Sequence, residues 1–249
     1  MFNTDYLVTI LLTTIAALIT LAIHEYSHAY AAHKLGDPTA KALGRLSLNP
    51  IKHIDPLGAL CMVFFRFGWA KPVPIDARYF KKPKRDFAIT ALAGPLSNII
   101  TAFFTAFIYL LTFALLKDVR FEEGFLFEFA QNALNFIYIF HIVNLGIAVF
   151  NMIPVPPLDG SRVLWVVLPT KTYFAIMKYE RIIYYVFIGW LLLGGIASDF
   201  LLSIPIIAAN PALCAIATYI SLSNIIGAAV EGLSYLMFTL LRLIPFLNV

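Results

Sequence analysis

The sequence predicts an all-α polytopic membrane protein, chiefly from its composition and its long uncharged runs. Of the 249 residues, 61% are hydrophobic and only 13% are charged, whereas a soluble protein carries about 25% charged residues. Several charge-poor runs are long enough to cross a bilayer, which takes about 20 mostly apolar residues per helix. Helices buried in a soluble protein would show polar positions at helical spacing, and these runs lack them.

Four of these runs predict one membrane span each, and the C-terminal tail predicts one or two more. The four spans are expected at residues 6–34, 86–116, 129–150 and 181–202. The apolar tail after Pro205 is expected to be interrupted near Asn210-Pro211 and near Glu231. The first run follows Asp5 rather than a basic stretch and has no small-residue cleavage site. We therefore interpret it as a retained span and not as a signal peptide.

The segment between the first two spans, residues 36–85, is rich in glycine, proline and basic residues. Within it, residues 57–69 are apolar apart from Arg66, but this stretch is too short to cross a bilayer. Irregular backbone is tolerated at membrane depth where protein covers it. We therefore expect a short re-entrant or hairpin element here, whose edge could pair with an unwound peptide.

The distribution of basic residues predicts the orientation of the chain in the membrane. Eleven of the 18 basic residues lie at positions 34–85, and four more lie at positions 162–181. Cytosolic loops carry an excess of Lys and Arg, so both segments are expected to be cytosolic and the N-terminus external. Basic residues that flank membrane segments do not indicate a nucleic-acid partner. The two cysteines, Cys61 and Cys214, have no paired spacing and indicate neither a disulfide framework nor a sulfur metal site.

Residues 24–28, His-Glu-Tyr-Ser-His, place two histidines four positions apart near the end of the first span. On a helix such positions differ by about 40° in direction and about 6 Å in rise, so His24 and His28 can bind one metal ion from the same face. Glu25 can take a proton from an attacking water and pass it to a leaving amine. The alternative is a set of interfacial residues at a helix end, although ionisable groups within membrane helices are costly and usually functional.

A catalytic zinc ion needs a third protein ligand, and Asp159 is the strongest candidate. It follows the third span, after three prolines within residues 154–157 that prevent a regular helix from continuing. The predicted topology brings this segment to the same side of the membrane as the two histidines, and Gly160 permits close approach of the backbone. A solvated loop aspartate beside a turn-forming glycine stays open as the alternative.

Other ionisable residues are weaker candidates for the third ligand. His141 lies in the middle of the third span and is expected to bond to a neighbouring helix, and His53 belongs to a sequence typical of a turn. The remaining candidates are Asp199 and Glu231.

Three elements of the sequence are informative together. They are His24-Glu25-x-x-His28, Ala93-Gly94-Pro95-Leu-Ser-Asn98 and Asn151-x-x-Pro154-x-Pro156-x-Leu158-Asp159-Gly160. This combination resembles the site-2 protease family of intramembrane zinc metalloproteases. The resemblance implies that Asp159 is the third zinc ligand. It also implies a three-helix catalytic core at about residues 6–165, followed by C-terminal helices at about residues 181–249.

Residues 44–50 and 68–74 are similar to the compact prokaryotic members of that family, which lack PDZ and CBS domains. We therefore expect residues 1–249 to form a single membrane-embedded domain. The resemblance implies an endopeptidase with one Zn²⁺ per chain that cuts transmembrane segments near the cytosolic side. Its partners would be the bilayer and a transmembrane protein or signal-peptide substrate, as in regulated intramembrane proteolysis at the cell (plasma or inner) membrane.

Three asparagines, Asn98, Asn144 and Asn151, lie at or near the cytosolic half of their spans. Their amides could hold an extended substrate backbone or stabilise the oxyanion of the tetrahedral intermediate. The competing interpretation is helix packing through interhelical hydrogen bonds.

Two other functions stay open for the chain, a zinc-binding membrane transporter and a non-catalytic scaffold. A transporter usually carries its ligands at several depths along a path, whereas the ligands predicted here converge on one level. The intact Glu25 argues against a scaffold.

Overall fold

The structure, a computed structural model, describes residues 4–65, 69–119 and 124–248. Within these ranges the chain forms eleven α-helices and three short 3-10 helices. The α-helices are α1 (Thr4–Lys34), α2 (Thr39–Ala42), α3 (Pro56–Phe65), α4 (Pro83–Leu116), α5 (Phe125–Asn151), α6 (Asp159–Val167), α7 (Thr170–Met177), α8 (Glu180–Leu202), α9 (Pro205–Ala208), α10 (Pro211–Tyr219) and α11 (Leu222–Leu241). The 3-10 helices are Pro50–Lys52, Ala77–Tyr79 and Pro245–Leu247.

Five of these helices, α1, α4, α5, α8 and α11, are long and apolar enough to cross a membrane. The prediction of an all-α polytopic membrane protein is confirmed. In the described ranges the β-structure amounts to one isolated bridge between Ile54 and Ala70. The tail after Pro205 contributes one membrane-length helix, so two spans, α8 and α11, follow the first three.

The two interruptions predicted in the tail have different outcomes. The expected break near Asn210-Pro211 is present, because α10 begins at Pro211 and Oδ1 of Asn210 accepts hydrogen bonds from the first free backbone N–H groups. The expected break at Glu231 is wrong, since α11 runs through this residue without interruption. Glutamate is a good helix former, and its exposed side chain leaves the backbone hydrogen bonds of α11 intact.

The element expected between the first two spans begins as a short helix, α3, whose N-terminus is capped by Oδ1 of Asp55. The chain returns to the start of this helix, where Ala70 pairs with Ile54. Gly58 permits the return, because a Cβ at this position would lie 3.0 Å from the backbone nitrogen of Trp69. The described parts of this element therefore resemble a hairpin. Residues 66–68, which include Arg66, lie outside the described ranges.

Helix α1 ends in a glycine-based C-cap that fixes the start of the following loop. Gly36 adopts a φ of 111°, which favours glycine because it has no Cβ. The N–H of Asp37 donates to the carbonyl of Ala32, and the N–H of Gly36 donates to the carbonyl of His33, as in a Schellman motif.

Helix α4 occupies the centre of the fold and packs against α1, α5, α6 and α11. Ala102 of α4, Leu145 of α5 and Val230 of α11 form one buried apolar cluster with Met237. Small residues such as Ala102 allow the close helix packing that is typical within membranes. Because α4 contacts both α1 and the segment after α5, it brings the two parts of the candidate site together.

Candidate metal centre

The structure brings His24, His28 and Asp159 together at one point. Nε2 of His24 lies 3.0 Å from Nε2 of His28, and Oδ2 of Asp159 lies 3.1 Å from the first and 3.2 Å from the second. Among the described residues, these form a group of side chains able to hold a metal ion. Both histidines are buried, and Asp159 is half-buried.

Neighbouring groups fix which nitrogen of each imidazole faces the centre. Nδ1 of His28 lies 2.7 Å from the carbonyl oxygen of Thr90 on α4. A carbonyl can only accept, so Nδ1 of His28 carries the proton and Nε2 presents its lone pair to the centre. Hydrogen bonds of this kind commonly orient histidines that bind metals.

Asn98 contacts the nitrogen of His24 that faces away from the centre. Its Nδ2 lies 3.1 Å from Nδ1 of the imidazole. Oδ1 of Asn98 is buried and has no hydrogen-bond partner among the described residues. Rotation of the amide by 180° lets this oxygen accept the N–H of Nδ1 and satisfies both groups. Nε2 of His24 then presents a lone pair toward His28 and Asp159.

This donor set fits zinc. With both Nδ1 atoms protonated, the three facing atoms are all lone-pair donors, and imidazole nitrogens with a carboxylate oxygen are ligands that zinc takes. Ligand atoms at about 2.0–2.1 Å around a tetrahedral zinc lie about 3.3 Å apart, close to the observed 3.0–3.2 Å separations. His24, His28 and Asp159 would hold the metal and leave one position free.

Gly94 of α4 makes room for the two imidazoles. A Cβ at this position would lie 2.6 Å from Cε1 of His24 and would clash with Nε2 of His28. The absence of a side chain therefore lets α4 pass directly against the ligand rings. One turn later on the same helix comes Asn98, so Gly94 and Asn98 shape the site from one face of α4.

Asp159 reaches the centre through the break that follows α5. The prolines of residues 154–157 end regular helix after Asn151, and α6 begins at Asp159 itself. Carboxylates are favoured in the first turn of a helix, where the backbone N–H groups are free. Gly160 lets this turn pack against the end of α5, since a Cβ there would lie 2.6 Å from the carbonyl oxygen of Ile153.

Glu25 lies beside the three ligands and has its own partner. Its Oε2 accepts a hydrogen bond from the backbone N–H of Val73 at 2.8 Å. The carboxylate is half-buried and lines the same cavity as the three ligands. Val73 lies in the irregular stretch between α3 and α4, so two distant parts of the chain meet at this glutamate.

A cavity of about 1050 Å³ adjoins the centre, and the three ligands lie in its wall. Its wall is mostly apolar and is formed chiefly by α1, α5, α8 and the stretch 69–75, with single residues or pairs from α4, α6 and α11. Representative lining residues are Thr13, Ala17, Gly146, Ile147, Phe187 and Val73. A mostly apolar cavity with a few polar groups at one place is typical of a ligand-binding site.

The three asparagines have different surroundings. Asn98 and Asn144 are fully buried, and neither lines the cavity. Nδ2 of Asn144 donates to Oγ1 of Thr20 on α1 at 3.0 Å, which ties α5 to α1. Asn151 lines the cavity, and its Nδ2 donates to the carbonyl of Ile147 at 3.0 Å. Of the three, Asn151 is the one that lines the cavity.

The weaker ligand candidates lie apart from the centre. His141 is buried between the carbonyl of Ala102 at 2.8 Å and Oγ of Ser234 at 2.9 Å, and it links α5 to α4 and α11. Nε2 of His53 lies 2.6 Å from the carbonyl of Ser47 within a loop. Asp199 and Glu231 are exposed on α8 and α11.

Two partners of the site are backbone groups that sequence reasoning missed. The carbonyl of Thr90 leaves no signature in the side chains. The N–H of Val73 has a weak sequence signal, because Pro72 and Pro74 on either side of it have no N–H and leave it as the single backbone donor of the stretch.

Comparison with known proteins identifies relatives of this chain. The chain is 41% identical over 150 residues to YwhC of Bacillus subtilis, across 60% of this chain and 66% of that protein. It is 28% identical over 153 residues to Rip2 of Mycolicibacterium smegmatis, across 59% of this chain and 53% of that protein. Both relatives are provisionally named zinc metalloproteases.

The chain thus spans about half to two thirds of the length of these curated relatives. No solved structure matches it. The model of peptidase family M50 matches residues 12–194, a range that includes His24, His28 and Asp159. This match covers more than half of the chain, which therefore belongs to peptidase family M50.

Proposed function

We propose that this chain is an intramembrane zinc endopeptidase that hydrolyses peptide bonds in transmembrane segments near the cytosolic side. The observation that carries the proposal is the triangle of Nε2 of His24, Nε2 of His28 and Oδ2 of Asp159, with edges of 3.0–3.2 Å. Lone-pair donors this close repel one another unless a cation offsets the repulsion. Family membership supports a peptidase centred on this triangle.

In this proposal His24, His28 and Asp159 hold one zinc ion per chain. Bound zinc acts as a Lewis acid and lowers the pKa of water toward about 7. Glu25 is the general base that takes the proton of the attacking water and then, as general acid, gives it to the leaving amine. The amide of Asn151, in the cavity wall, contacts the substrate backbone. Asn98 acts on His24 rather than on the substrate.

The substrate class follows from the cavity and from the helices that form it. Its wall is built by membrane-length helices and is mostly apolar, which suits a transmembrane protein or a signal-peptide remnant. A helical segment has its carbonyls tied up in hydrogen bonds, so it must unwind before it is cut. A role in regulated intramembrane proteolysis follows from this substrate class.

Orientation follows from the loops. The excess of basic residues in segments 34–85 and 162–181 supports a site that faces the cytosol and an external N-terminus, in a multi-pass protein of the cell membrane. The domain is a single one over residues 1–249, with a catalytic core at about 6–165 and C-terminal helices at about 181–249.

The proposal is tested by cleavage of a labelled single-span peptide reconstituted with the purified protein in liposomes. Purified protein should contain about one zinc per chain. Glu25→Gln should keep the zinc and lower the cleavage rate by about 10²- to 10⁴-fold, as expected for loss of a general base. Glu231→Gln is the matched control, because this residue is an exposed glutamate within α11 and should cleave like wild type.

Normal cleavage by the Glu25→Gln protein would exclude the proposed mechanism. Zinc uptake into sealed vesicles, without cleavage, would point to the transporter alternative instead.

A further inference from the structure

We propose that the backbone N–H of Val73, isolated between Pro72 and Pro74, positions the carboxylate of Glu25 for proton transfer. This inference rests on the proposed function of Glu25. Val73 acts through Glu25 and is therefore a positioning residue. The contact is a 2.8 Å hydrogen bond from the N–H of Val73 to Oε2 of Glu25, across 48 positions of the chain.

The sequence around Val73 makes this donor both single and rigid. Proline has no N–H and a fixed φ, so the stretch 72–74 offers one backbone donor, and it points at Glu25. A residue that precedes proline is restricted to extended conformations. Lys71 and Val73 both precede a proline, so the backbone has little freedom to turn the donor away.

Two hydrogen bonds hold the stretch on its N-terminal side. The N–H of Lys71 donates to the carbonyl of His53 at 2.8 Å, and Nη2 of Arg45 donates to the carbonyl of Lys71 at 2.5 Å. The Arg45 side chain is buried, and a charged donor makes a stronger hydrogen bond than a neutral one.

Buried groups also hold the stretch on its C-terminal side. The N–H of Asp76 donates to Oδ2 of Asp37 at 2.7 Å, while Oδ1 of Asp37 accepts from the N–H of Thr39. The side chain of Val73 belongs to one buried apolar cluster with Ala40 and with Ala29, which lies one helical turn after Glu25 on α1. The donor and its acceptor are therefore held against the same helix.

Glu25 gains a defined orientation from this contact. A glutamate side chain has several rotatable bonds, and the hydrogen bond from Val73 holds one oxygen of this carboxylate, whose residue lines the cavity. Because the N–H of Val73 is anchored independently of the metal ligands, the base keeps its orientation whether or not the ligands are loaded.

The contact itself is tested without any measurement of cleavage, by hydrogen–deuterium exchange of the purified wild-type protein. Two overlapping peptides that share one end and differ by residues 72–74 differ by one backbone amide, that of Val73, since both prolines lack one. This amide should exchange slowly in wild type and in Glu25→Gln, which keeps an oxygen acceptor. It should exchange about 10-fold faster in Glu25→Ala. Equal exchange in wild type and Glu25→Ala would overturn the proposal.

The role in the reaction is tested by comparing Val73→Pro with Val73→Ala. Both variants lose the valine side chain, but only Val73→Pro loses the N–H. We expect kcat of Val73→Pro to be about 10- to 100-fold below that of Val73→Ala, with KM and zinc content alike in the two. Equal kcat values, in a setting where wild type cleaves, would overturn the positioning role and leave the proposed function standing.

A double-mutant cycle separates positioning from a structural effect on the loop. Glu25→Asp shortens the side chain so that it cannot reach Val73. If the N–H acts through the Glu25 carboxylate, adding Val73→Pro to Glu25→Asp should lower kcat by less than about 3-fold. The full loss of about 10- to 100-fold in that background would overturn the proposal. If Val73→Pro loses zinc, Arg45→Gln replaces it as the test, because it removes the hydrogen bond that holds Lys71 beside this stretch. Arg45→Gln should lower kcat without changing zinc content. An unchanged kcat would overturn the proposed positioning role of Val73.

Discussion

Asn98 and Asp159 bind opposite sides of the His24 imidazole. Nδ2 of Asn98 lies 3.1 Å from Nδ1, and Oδ2 of Asp159 lies 3.1 Å from Nε2. One ring is thus fixed by a residue of α4 and by the first residue of α6, although it belongs to α1. The imidazole of His24 is the point at which the three parts of the proposed core meet.

Substitution of Asn98 should weaken metal binding without removing a ligand. Asn98→Ala leaves Nδ1 of His24 without a buried partner and frees the ring to rotate. We expect zinc affinity to fall by about 10- to 100-fold, as is usual when a partner of a metal-binding histidine is lost. Zinc titration of the purified protein with a competing chelator measures this change.

Asn98→Asp is the matched control, because it keeps an oxygen that can accept the N–H of Nδ1. Its zinc affinity should stay within about 3-fold of wild type. Wild-type affinity in Asn98→Ala would show that the asparagine does not orient His24.

Gly94→Ala should disrupt the centre by steric conflict. The added Cβ would lie 2.6 Å from Cε1 of His24 and would clash with Nε2 of His28, so the rings or α4 must shift. We expect zinc content to fall below about half an ion per chain, since ligand geometry tolerates only small displacements. Metal analysis of the purified protein checks this expectation.

Gly189→Ala is the control for this substitution. Gly189 lies on α8, and a Cβ there would meet no atom within 4 Å. Zinc content should be that of wild type, because the added methyl group meets no neighbouring atom. The helix itself should not be weakened, since alanine is a better helix former than glycine. Full zinc loading of Gly94→Ala would mean that the rings can move aside without loss of the site.

Helix type and approximate bounds were predictable from the sequence because they depend on local properties. Uncharged runs of membrane length became α1, α4, α5 and α8 within a few residues of the expected bounds. The spacing of His24 and His28 on one helical face is equally local. Glu231 is the instructive exception, since one polar residue in an apolar run does not break a helix.

The contacts that complete the site could not be predicted, because they join residues far apart in sequence through backbone atoms. Thr90 contributes its carbonyl to His28 across 62 positions, and any residue type at that position has a carbonyl. The donor at Val73 is of the same kind. Sequence patterns report side-chain types, so such backbone partners become visible only when the helices are packed.

His141 should stabilise the helix bundle and have no effect on metal binding. Its imidazole bridges the carbonyl of Ala102 and Oγ of Ser234, and thereby joins α5 to α4 and α11. His141→Phe removes both hydrogen bonds and should lower the free energy of unfolding by about 1–2 kcal/mol, given the strength of hydrogen bonds within membranes. Zinc content should not change.

Denaturation of the purified protein in detergent micelles measures this effect, and Ser234→Ala in the same background tests the pairing. The free energy of unfolding of the double variant should lie within about 0.5 kcal/mol of that of His141→Phe, the difference being due to lost packing. Additive losses would mean that His141 and Ser234 stabilise the bundle independently.

Removal of the metal should lower the thermal stability of wild type but not that of Asp159→Asn. A ligand present at about 100 times its Kd stabilises the folded state by about 2.7 kcal/mol, and a chelator cancels this gain. The amide introduced by the substitution would supply a neutral and weaker ligand, so little stabilisation would be left to lose. Asp199→Asn, which alters an exposed aspartate on α8, should keep the wild-type response to chelator. An Asp159→Asn protein whose Tm falls with chelator as far as that of wild type would remove this carboxylate from the metal centre.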